Sequence, residues 1–411
     1  MTSGSPRAGR RTHRTVVALL LSAGLVTSGC SGEDYVAPPA PTTREVASPA
    51  TAAETLAEFE AAVRDRDRAR AVELGADPEA ADLLGAIVAN AGALELTDVT
   101  FGYLTETGRT SGEDGWDGQV AVTWRLAGID TASARVELPV SFVDRGRRIA
   151  GIGGASSRSG RLPLWLSGPV DVRRSGEVVV AVAGDPTGAG RYLADARRAV
   201  AQVRSLLPGG GGLVVEVPAD AEALRRTLDT TPGQYDAIAA VTAPVDGSQA
   251  PGSPVHVFLN RAVYDRLDEV AARVVMTHEA VHALTGAVAA RQAPLWLVEG
   301  FADYVALRDV DLPVERTAGQ IAAQVRKEGL PDALPAPTDF DPSASHLGAV
   351  YEAAWLVCVT LADHGGEQAL VALYRAVRDG EDLSTALSRL FGWTEAQLTA
   401  AWRDRLAALA R

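Results

Sequence analysis

The stretch that decides the fold reads His278-Glu279-Ala280-Val281-His282 and continues, after a short connection, with Pro294-Leu295-Trp296-Leu297-Val298-Glu299-Gly300-Phe301-Ala302-Asp303-Tyr304. Together the two runs supply two imidazoles and several carboxylates. Side chains four residues apart stack on one face of a helix, so His278 and His282 can both turn a ring nitrogen toward one metal ion. The spacing therefore predicts a helix that carries a metal site.

Imidazole and carboxylate groups are the ligands of catalytic zinc, which takes three protein ligands and leaves a fourth position to water. The pKa of that water falls toward about 7, so a nearby carboxylate can remove its proton. We expect Glu279 to be this general base and Glu299 to be the third ligand, on a short helix opened by Pro294. Gly300 lets another backbone approach closely. Asp303, one turn after Glu299, is expected to accept the second N–H of a ligating imidazole.

An H-E-x-x-H run can also arise by chance on an amphipathic helix that bears histidines. Here the flanking residues are apolar, among them Met276 and Val281, so the helix is expected to be mostly buried. Burying unpaired histidines and glutamates is costly. The chain has only six histidines, and two of them fall in this pattern. We therefore predict bound Zn²⁺.

At these residues the chain resembles the gluzincin zinc metallopeptidases, in the broad peptidase MA-like group that includes thermolysin-type enzymes and zinc aminopeptidases. Trp296-Leu297-Val298-Glu299-Gly300-Phe301-Ala302 is similar to the W-L-x-E-G-F-A stretch of the aminopeptidase branch. The resemblance implies that the two histidines and Glu299 bind zinc and that Glu279 is the general base. Sixteen residues separate His282 from Glu299, against eighteen in that branch. The G-x-M-E-N segment, which binds a substrate's free amino end there, is absent, so we expect endopeptidase rather than exopeptidase action.

An enzyme of this kind needs a donor for the oxyanion of the tetrahedral intermediate, commonly a Tyr or a His. Tyr351 is the best match, because it opens a predicted helix in a stretch similar to the Y-x-K-G of the aminopeptidases. The alternative is a tyrosine that only packs between helices. His346, in the loop after Pro342, is the rival donor.

Composition indicates a folded protein, because a chain with 47% hydrophobic residues can bury a large core. Its length of 411 residues suggests two or three domains. The formal charge is −13, and the first 29 residues carry four arginines and no acid, so the remainder is more acidic still. This balance argues against nucleic acid as a partner and against electrostatic binding to anionic lipid. We expect a monomer that acts on a peptide or protein substrate.

The N-terminus resembles a bacterial lipoprotein signal peptide over residues 1–29. An arginine-rich stretch and a short apolar run precede Thr27-Ser28-Gly29-Cys30, similar to a lipobox in which the peptide is cut before Cys30 and that thiol is acylated. This implies an extracytoplasmic protein anchored to the membrane by lipid. The alternative is an ordinary secretory signal with an incidental cysteine, which would make the protein secreted. Cys358, the other cysteine, is expected to be a core residue.

Patterning along the rest of the chain predicts an α+β fold. Residues 30–50 are rich in Pro, Ser, Thr and Ala and form a disordered tether. Helical patterns and then strands near 120–126, 134–140 and 147–152 suggest an NTF2-like domain over residues 51–160. Residues 161–411 are expected to form the gluzincin domain, with a small sheet, the active-site helix and a helical C-terminal lobe.

The strand at 255–259 is expected to border the cleft, where it could pair with an extended substrate. His256, within this strand, is an imaginable ligand by residue type, but its spacing to the H-E-x-x-H run fits no familiar zinc set.

The sequence thus predicts an extracytoplasmic zinc metallopeptidase that uses metal-activated water. One rival is a zinc-holding but catalytically silent lipoprotein that docks a partner, although a structural zinc has no use for a base such as Glu279. The other rival is a zinc amidase acting on cell-wall peptides.

Overall fold

The computed structural model describes residues 47–111, 115–154, 160–248, 250, 252–290, 292–341 and 346–411. The signal peptide, Cys30 and most of the tether predicted at 30–50 lie outside these residues. Within the described ranges, no helix combines the length and apolarity needed to cross a bilayer.

Three helices begin the described chain, each capped by a short polar side chain. They are α1 (Pro49–Asp65), α2 (Arg68–Glu73) and α3 (Pro78–Ala93). Ser48, Asp67 and Asp77 accept a hydrogen bond from the first-turn backbone of the helix that follows each of them. Leu56, Phe59 and Val63, which lie on one face of α1, are fully buried.

An antiparallel sheet in the order β1-β2-β3-β4 follows. Its strands are β1 (Leu96–Ser111), β2 (Gly115–Leu126), β3 (Ala134–Val143) and β4 (Arg148–Ile152). The three strands predicted from the sequence correspond to β2, β3 and β4. β1 was not predicted, because its Thr, Asp, Glu and Gly residues obscure the alternation of a half-exposed strand.

A second, mixed sheet has the order β5-β6-β7-β9-β8. Its strands are β5 (Val170–Ser175), β6 (Val178–Ala183), β7 (Leu213–Val217), β8 (Ala240–Pro244) and β9 (Val255–Leu259). The central strands β6, β7 and β9 are parallel, and the two outer strands pair antiparallel. The helices α4 (Ala189–Leu206) and α5 (Ala221–Leu228) lie between strands in the chain.

Alternate residues of this second sheet enter two different cores, as the period-two geometry of strands requires. Val180, Val215 and Val257 face the helices that follow in the chain. Val179 and Phe258 point the other way and pack with the N-terminal helices and first sheet. The second sheet is therefore a layer shared by both halves of the chain.

The remainder of the chain is helical. The helices are α6 (Arg261–Tyr264), α7 (Glu269–Thr285), α8 (Leu295–Leu307), α9 (Val314–Thr317), α10 (Gly319–Glu328), α11 (Leu347–Gly365), α12 (Glu367–Arg378), α13 (Leu383–Phe391) and α14 (Glu395–Leu409). Short 3-10 turns occur at Asp144–Gly146, Leu164–Leu166, Ala287–Ala289 and Pro337–Phe340. Cys358 is fully buried in α11, as predicted.

The described chain is thus an α+β fold with one antiparallel and one mixed sheet. The described residues all fall within one compact unit. The boundary predicted at residue 160 and the NTF2-like character of the N-terminal half remain predictions.

Candidate metal centre

Helix α7 carries both histidines of the H-E-x-x-H run. Asp268 begins it by accepting a hydrogen bond of 2.8 Å from the backbone N–H of Ala271. Gly286 ends it with φ of 67°, a left-handed conformation that glycine adopts without strain. Because His278 and His282 lie one turn apart, their rings meet edge to face, with centroids 4.7 Å apart.

Helix α8 brings Glu299 to the same place. It crosses α11 so closely that a Cβ on Gly300 would overlap the carbonyl oxygen of Ala354. The close backbone approach expected at Gly300 is therefore confirmed. This close crossing holds α8 against α11, and α8 also packs on α7, so Glu299 lies near both helices.

The three ligand atoms form a nearly equilateral triangle. His278 Nε2 lies 3.0 Å from His282 Nε2 and 3.1 Å from Glu299 Oε2, and His282 Nε2 lies 3.3 Å from the same oxygen. Ligands about 2.0–2.1 Å from a tetrahedral zinc ion are roughly 3.3–3.4 Å apart, so this triangle is close to one face of such a tetrahedron. It is the sole cluster of this kind among the described residues. The residues present fit a zinc ion with three protein ligands.

The carboxylate of Asp303 orients one of these rings. Its Oδ1 lies 2.8 Å from His278 Nδ1, which leaves Nε2 of that ring for the metal. Burial disfavours a charged imidazole, but Asp303 and Glu299 outweigh it and hold the pKa of His278 well above its ordinary value. Burial likewise favours a neutral Glu299, yet the two histidines hold its pKa well below the ordinary range. The pocket therefore favours a positive charge at its centre.

Glu279, the expected base, makes a contact that the sequence analysis missed. The hydroxyl of Thr242, on β8, donates a hydrogen bond of 2.6 Å to Glu279 Oε2. The same hydroxyl lies 3.1 Å from the backbone carbonyl oxygen of Glu279. Thr242 precedes Glu279 by 37 residues, so no local spacing signals the contact.

The structure separates the two candidate oxyanion donors. Tyr351 lines the cleft with Glu279, and its ring centroid lies 6.0 Å from that of His278. Burial and the nearby carboxylates hold its pKa well above the ordinary value, so its hydroxyl keeps its proton. In the described part of the chain, nothing hydrogen-bonds to that hydroxyl. His346 instead lines a different cavity, near Glu328.

Cavities of about 430 and 490 Å³ flank the metal centre and share Thr242, His282 and Glu299. Apolar side chains dominate the remaining lining of both. In the first cavity these are Ile238, Ala239, Ala240, Val241, Val274, Val275 and Leu347, and in the second Ala287, Val288, Ala290, Ala293, Pro294, Leu295, Val298 and Pro337. In the described lining, the charged side chains all belong to the metal centre and its base. The cleft thus offers uncharged space on two sides of the metal.

The strand that borders this cleft is β8, and the expectation for β9 was wrong. β9 is paired on both sides, by β7 and β8, whereas β8 is at the edge of the sheet. The C=O of Ala239 accepts a hydrogen bond from Asn260, and the N–H of Val245 donates one to Pro254, so both residues bond toward β9. Backbone groups of successive residues in a strand point alternately to its two sides, so the N–H and C=O of Thr242 point to the free edge of the sheet.

His256 lies on the sheet face opposite α7. There it is buried between two acids, with Nδ1 2.7 Å from Glu216 Oε1 and Nε2 3.4 Å from Asp130 Oδ1. It therefore takes no part in the metal centre. Its neighbours instead join the second sheet to the loop that follows β2.

Comparisons with known proteins find a weak similarity to solved structures. No family model and no curated protein matches the chain. Among solved structures, it is similar to a substituted M1 zinc metallopeptidase from Deinococcus radiodurans, crystallised with a Tyr-Ser-Ala substrate. The identity is 11% and the TM-score 0.36, over 74% of this chain and 94% of the other. A similarity of this size assigns neither a family nor an activity.

Proposed function

We propose that the chain is a zinc-dependent metallopeptidase that hydrolyses peptide bonds, with His278, His282 and Glu299 as the metal ligands. The observation that carries the proposal is the triangle of 3.0, 3.1 and 3.3 Å formed by their ligand atoms, with the carboxylate of Glu279, which is not one of the ligands, in the same cleft. A purely structural zinc usually has four protein ligands and needs no base.

A zinc ion held by His278, His282 and Glu299 would polarise the scissile carbonyl and lower the pKa of water, so that water could lose a proton and act as the nucleophile. Glu279 takes the proton of the attacking water and later gives it to the leaving amine. Tyr351, which keeps its proton, donates a hydrogen bond to the oxyanion that develops on the carbonyl. Asp303 holds the His278 ring in the tautomer that presents Nε2.

Endopeptidase action is favoured because space is present on both sides of the metal centre. An exopeptidase needs a charged group to hold a substrate's free terminus. The described lining has no acid for an amino end, beyond the metal centre and its base, and no Lys or Arg for a carboxylate. The apolar walls suit uncharged, apolar side chains flanking the scissile bond.

Metal analysis and cleavage assays test this function together. The wild-type protein is expected to hold one zinc per chain, and His282→Ala to lose it, while His346→Ala, altered outside the cleft, keeps it. A mixed peptide library is then incubated with wild type and with Glu279→Gln. Cleavage that Glu279→Gln lowers by at least ~10²-fold supports the proposal. Zinc without cleavage favours the docking lipoprotein, and cleavage of cell-wall peptides alone favours the amidase.

We also propose that the protein works outside the cytoplasm, anchored through an acylated Cys30, and that residues 51–160 form an NTF2-like module. The lipobox-like Thr27-Ser28-Gly29-Cys30 supports the first idea and three helices followed by an antiparallel sheet support the second. Radiolabelled fatty acid should enter the wild-type protein and not Cys30→Ser. Equal labelling of both would reject the anchor.

A further inference from the structure

We propose that Thr242 is a positioning residue that aims the general base. This inference rests on the proposed function and names a residue that neither metal ligation nor the H-E-x-x-H pattern requires. It stands on the hydrogen bond of 2.6 Å from Thr242 Oγ1 to Glu279 Oε2.

The two partners differ in stiffness. Glu279 carries its carboxylate on a flexible side chain, and within the described residues only Thr242 hydrogen-bonds to that carboxylate. Thr242 is β-branched, so few rotamers are open to it, and it lies inside the paired strand β8, directly opposite Val257 of β9. The strand therefore fixes the hydroxyl, and the hydroxyl fixes the carboxylate.

The two oxygens of the Glu279 carboxylate therefore have different roles: one holds the group in place, and the other exchanges protons. With Oε2 engaged by the hydroxyl, Oε1 is the oxygen left to take a proton from water and return it to the leaving amine. A catalytic group displaced by about 1 Å can lose ~10²-fold in rate, so even a single anchoring bond matters to turnover. Thr242 also lines both cavities that flank the metal centre, so substrate passes beside this bond.

The strand position explains why the bond can form. Thr242 pairs with Val257, whose side chain faces the core that contains α7. Directly opposed residues of an antiparallel pair point to the same face, so the Thr242 hydroxyl points toward α7. A register shift of one residue would turn it to the opposite face.

The test uses the full zinc-loaded protein and three variants. Thr242→Val keeps the shape and removes the hydroxyl, Thr242→Ser restores a hydroxyl, and Thr123→Val makes the same change on a strand of the first sheet. We expect kcat of Thr242→Val to fall at least tenfold, with KM, zinc content and unfolding midpoint unchanged. Thr242→Ser should stay within about threefold of wild type and Thr123→Val should match it. Equal losses in Thr242→Val and Thr242→Ser, or no loss in either, would overturn the proposal.

A second readout separates this inference from the proposed function. Acetohydroxamate binds zinc and gives its proton to a neighbouring base. Its affinity therefore reports whether the Glu279 carboxylate is positioned to accept a proton, without any peptide cleavage. We expect Thr242→Val to weaken it at least fivefold, in the same direction as Glu279→Gln, and Thr242→Ser to leave it unchanged. An unchanged affinity in Thr242→Val rejects the role of Thr242. A wild-type protein that binds the hydroxamate but cleaves no peptide rejects peptidase action alone.

Discussion

Gly300 of α8 and Ala354 of α11 meet backbone to backbone, so close that a side chain on Gly300 would overlap the Ala354 carbonyl oxygen. This crossing joins the helix that supplies Glu299 to the helix that supplies Tyr351. The proposed metal ligand and the proposed oxyanion donor thus lie on two helices that one close packing contact holds together.

Gly300→Ala is expected to destabilise the protein by ~1–3 kcal/mol, because the added methyl group forces the two helices apart. Urea unfolding with zinc held constant measures this free energy. Gly190→Ala is the matched control, since a Cβ at Gly190 in α4 meets nothing within 4 Å. That control should be neutral or stabilise by up to ~1 kcal/mol. Equal stability of the two variants would contradict the packing argument.

Asp303→Asn is expected to weaken zinc binding by ~10–100-fold, because a neutral amide no longer supports the His278 ring electrostatically. Competition with a chelator of known affinity measures the change. Asp309→Asn, an exposed acid just beyond α8, serves as the comparison and should bind zinc like wild type. Wild-type affinity in Asp303→Asn would show that the 2.8 Å contact does not tune the metal centre.

Tyr351→Phe is expected to lower kcat by ~10²–10³-fold while zinc content and KM hold, because the lost donor acts only on the developing oxyanion. Steady-state kinetics with one peptide from the library measures both constants. His346→Ala should keep full activity, since His346 lines another cavity. The reverse pattern would return the role of donor to His346.

The ion pairs of His256 with Asp130 and Glu216, which join the second sheet to the loop after β2, are expected to stabilise the protein less as the pH rises above neutrality. Burial opposes a charged His256, but Asp130 and Glu216 outweigh it and raise its pKa to about 9. This pKa in the folded protein exceeds the value in the unfolded chain. The contribution of the charged His256 to the free energy of unfolding is therefore complete below pH ~6.5 and is lost as the pH rises through about 9. The difference in unfolding free energy between wild type and His256→Gln should therefore shrink from pH 6 to pH 10. A constant difference would contradict a charged His256.

The meeting of His278 and His282 was predictable because it depends on local periodicity: a spacing of four residues fixes a shared helix face whatever the rest of the fold does. Glu299 lies on a different helix, and its place beside them was expected from the resemblance of its motif and not from spacing. Gly300 was also predictable, since a glycine inside an apolar helix indicates a close neighbour.

The remaining contacts depend on strand order and register, which one sequence does not reveal. β8 is five residues long, contains a proline and lacks strong alternation, and only its pairing with β9 places Thr242 beside Glu279. His256 faces away from α7 because of its position in the strand. Tyr351 and His346 are five residues apart, but His346 precedes the first residue of α11 and Tyr351 lies within the helix. Their side chains therefore line different cavities.

The shared second sheet has a practical consequence for how this protein can be divided. A fragment starting at residue 161 would leave Val179, Ala181 and Phe258 facing water instead of the N-terminal core. Such a truncated chain should aggregate, so any expression of the C-terminal half needs the N-terminal half attached to it.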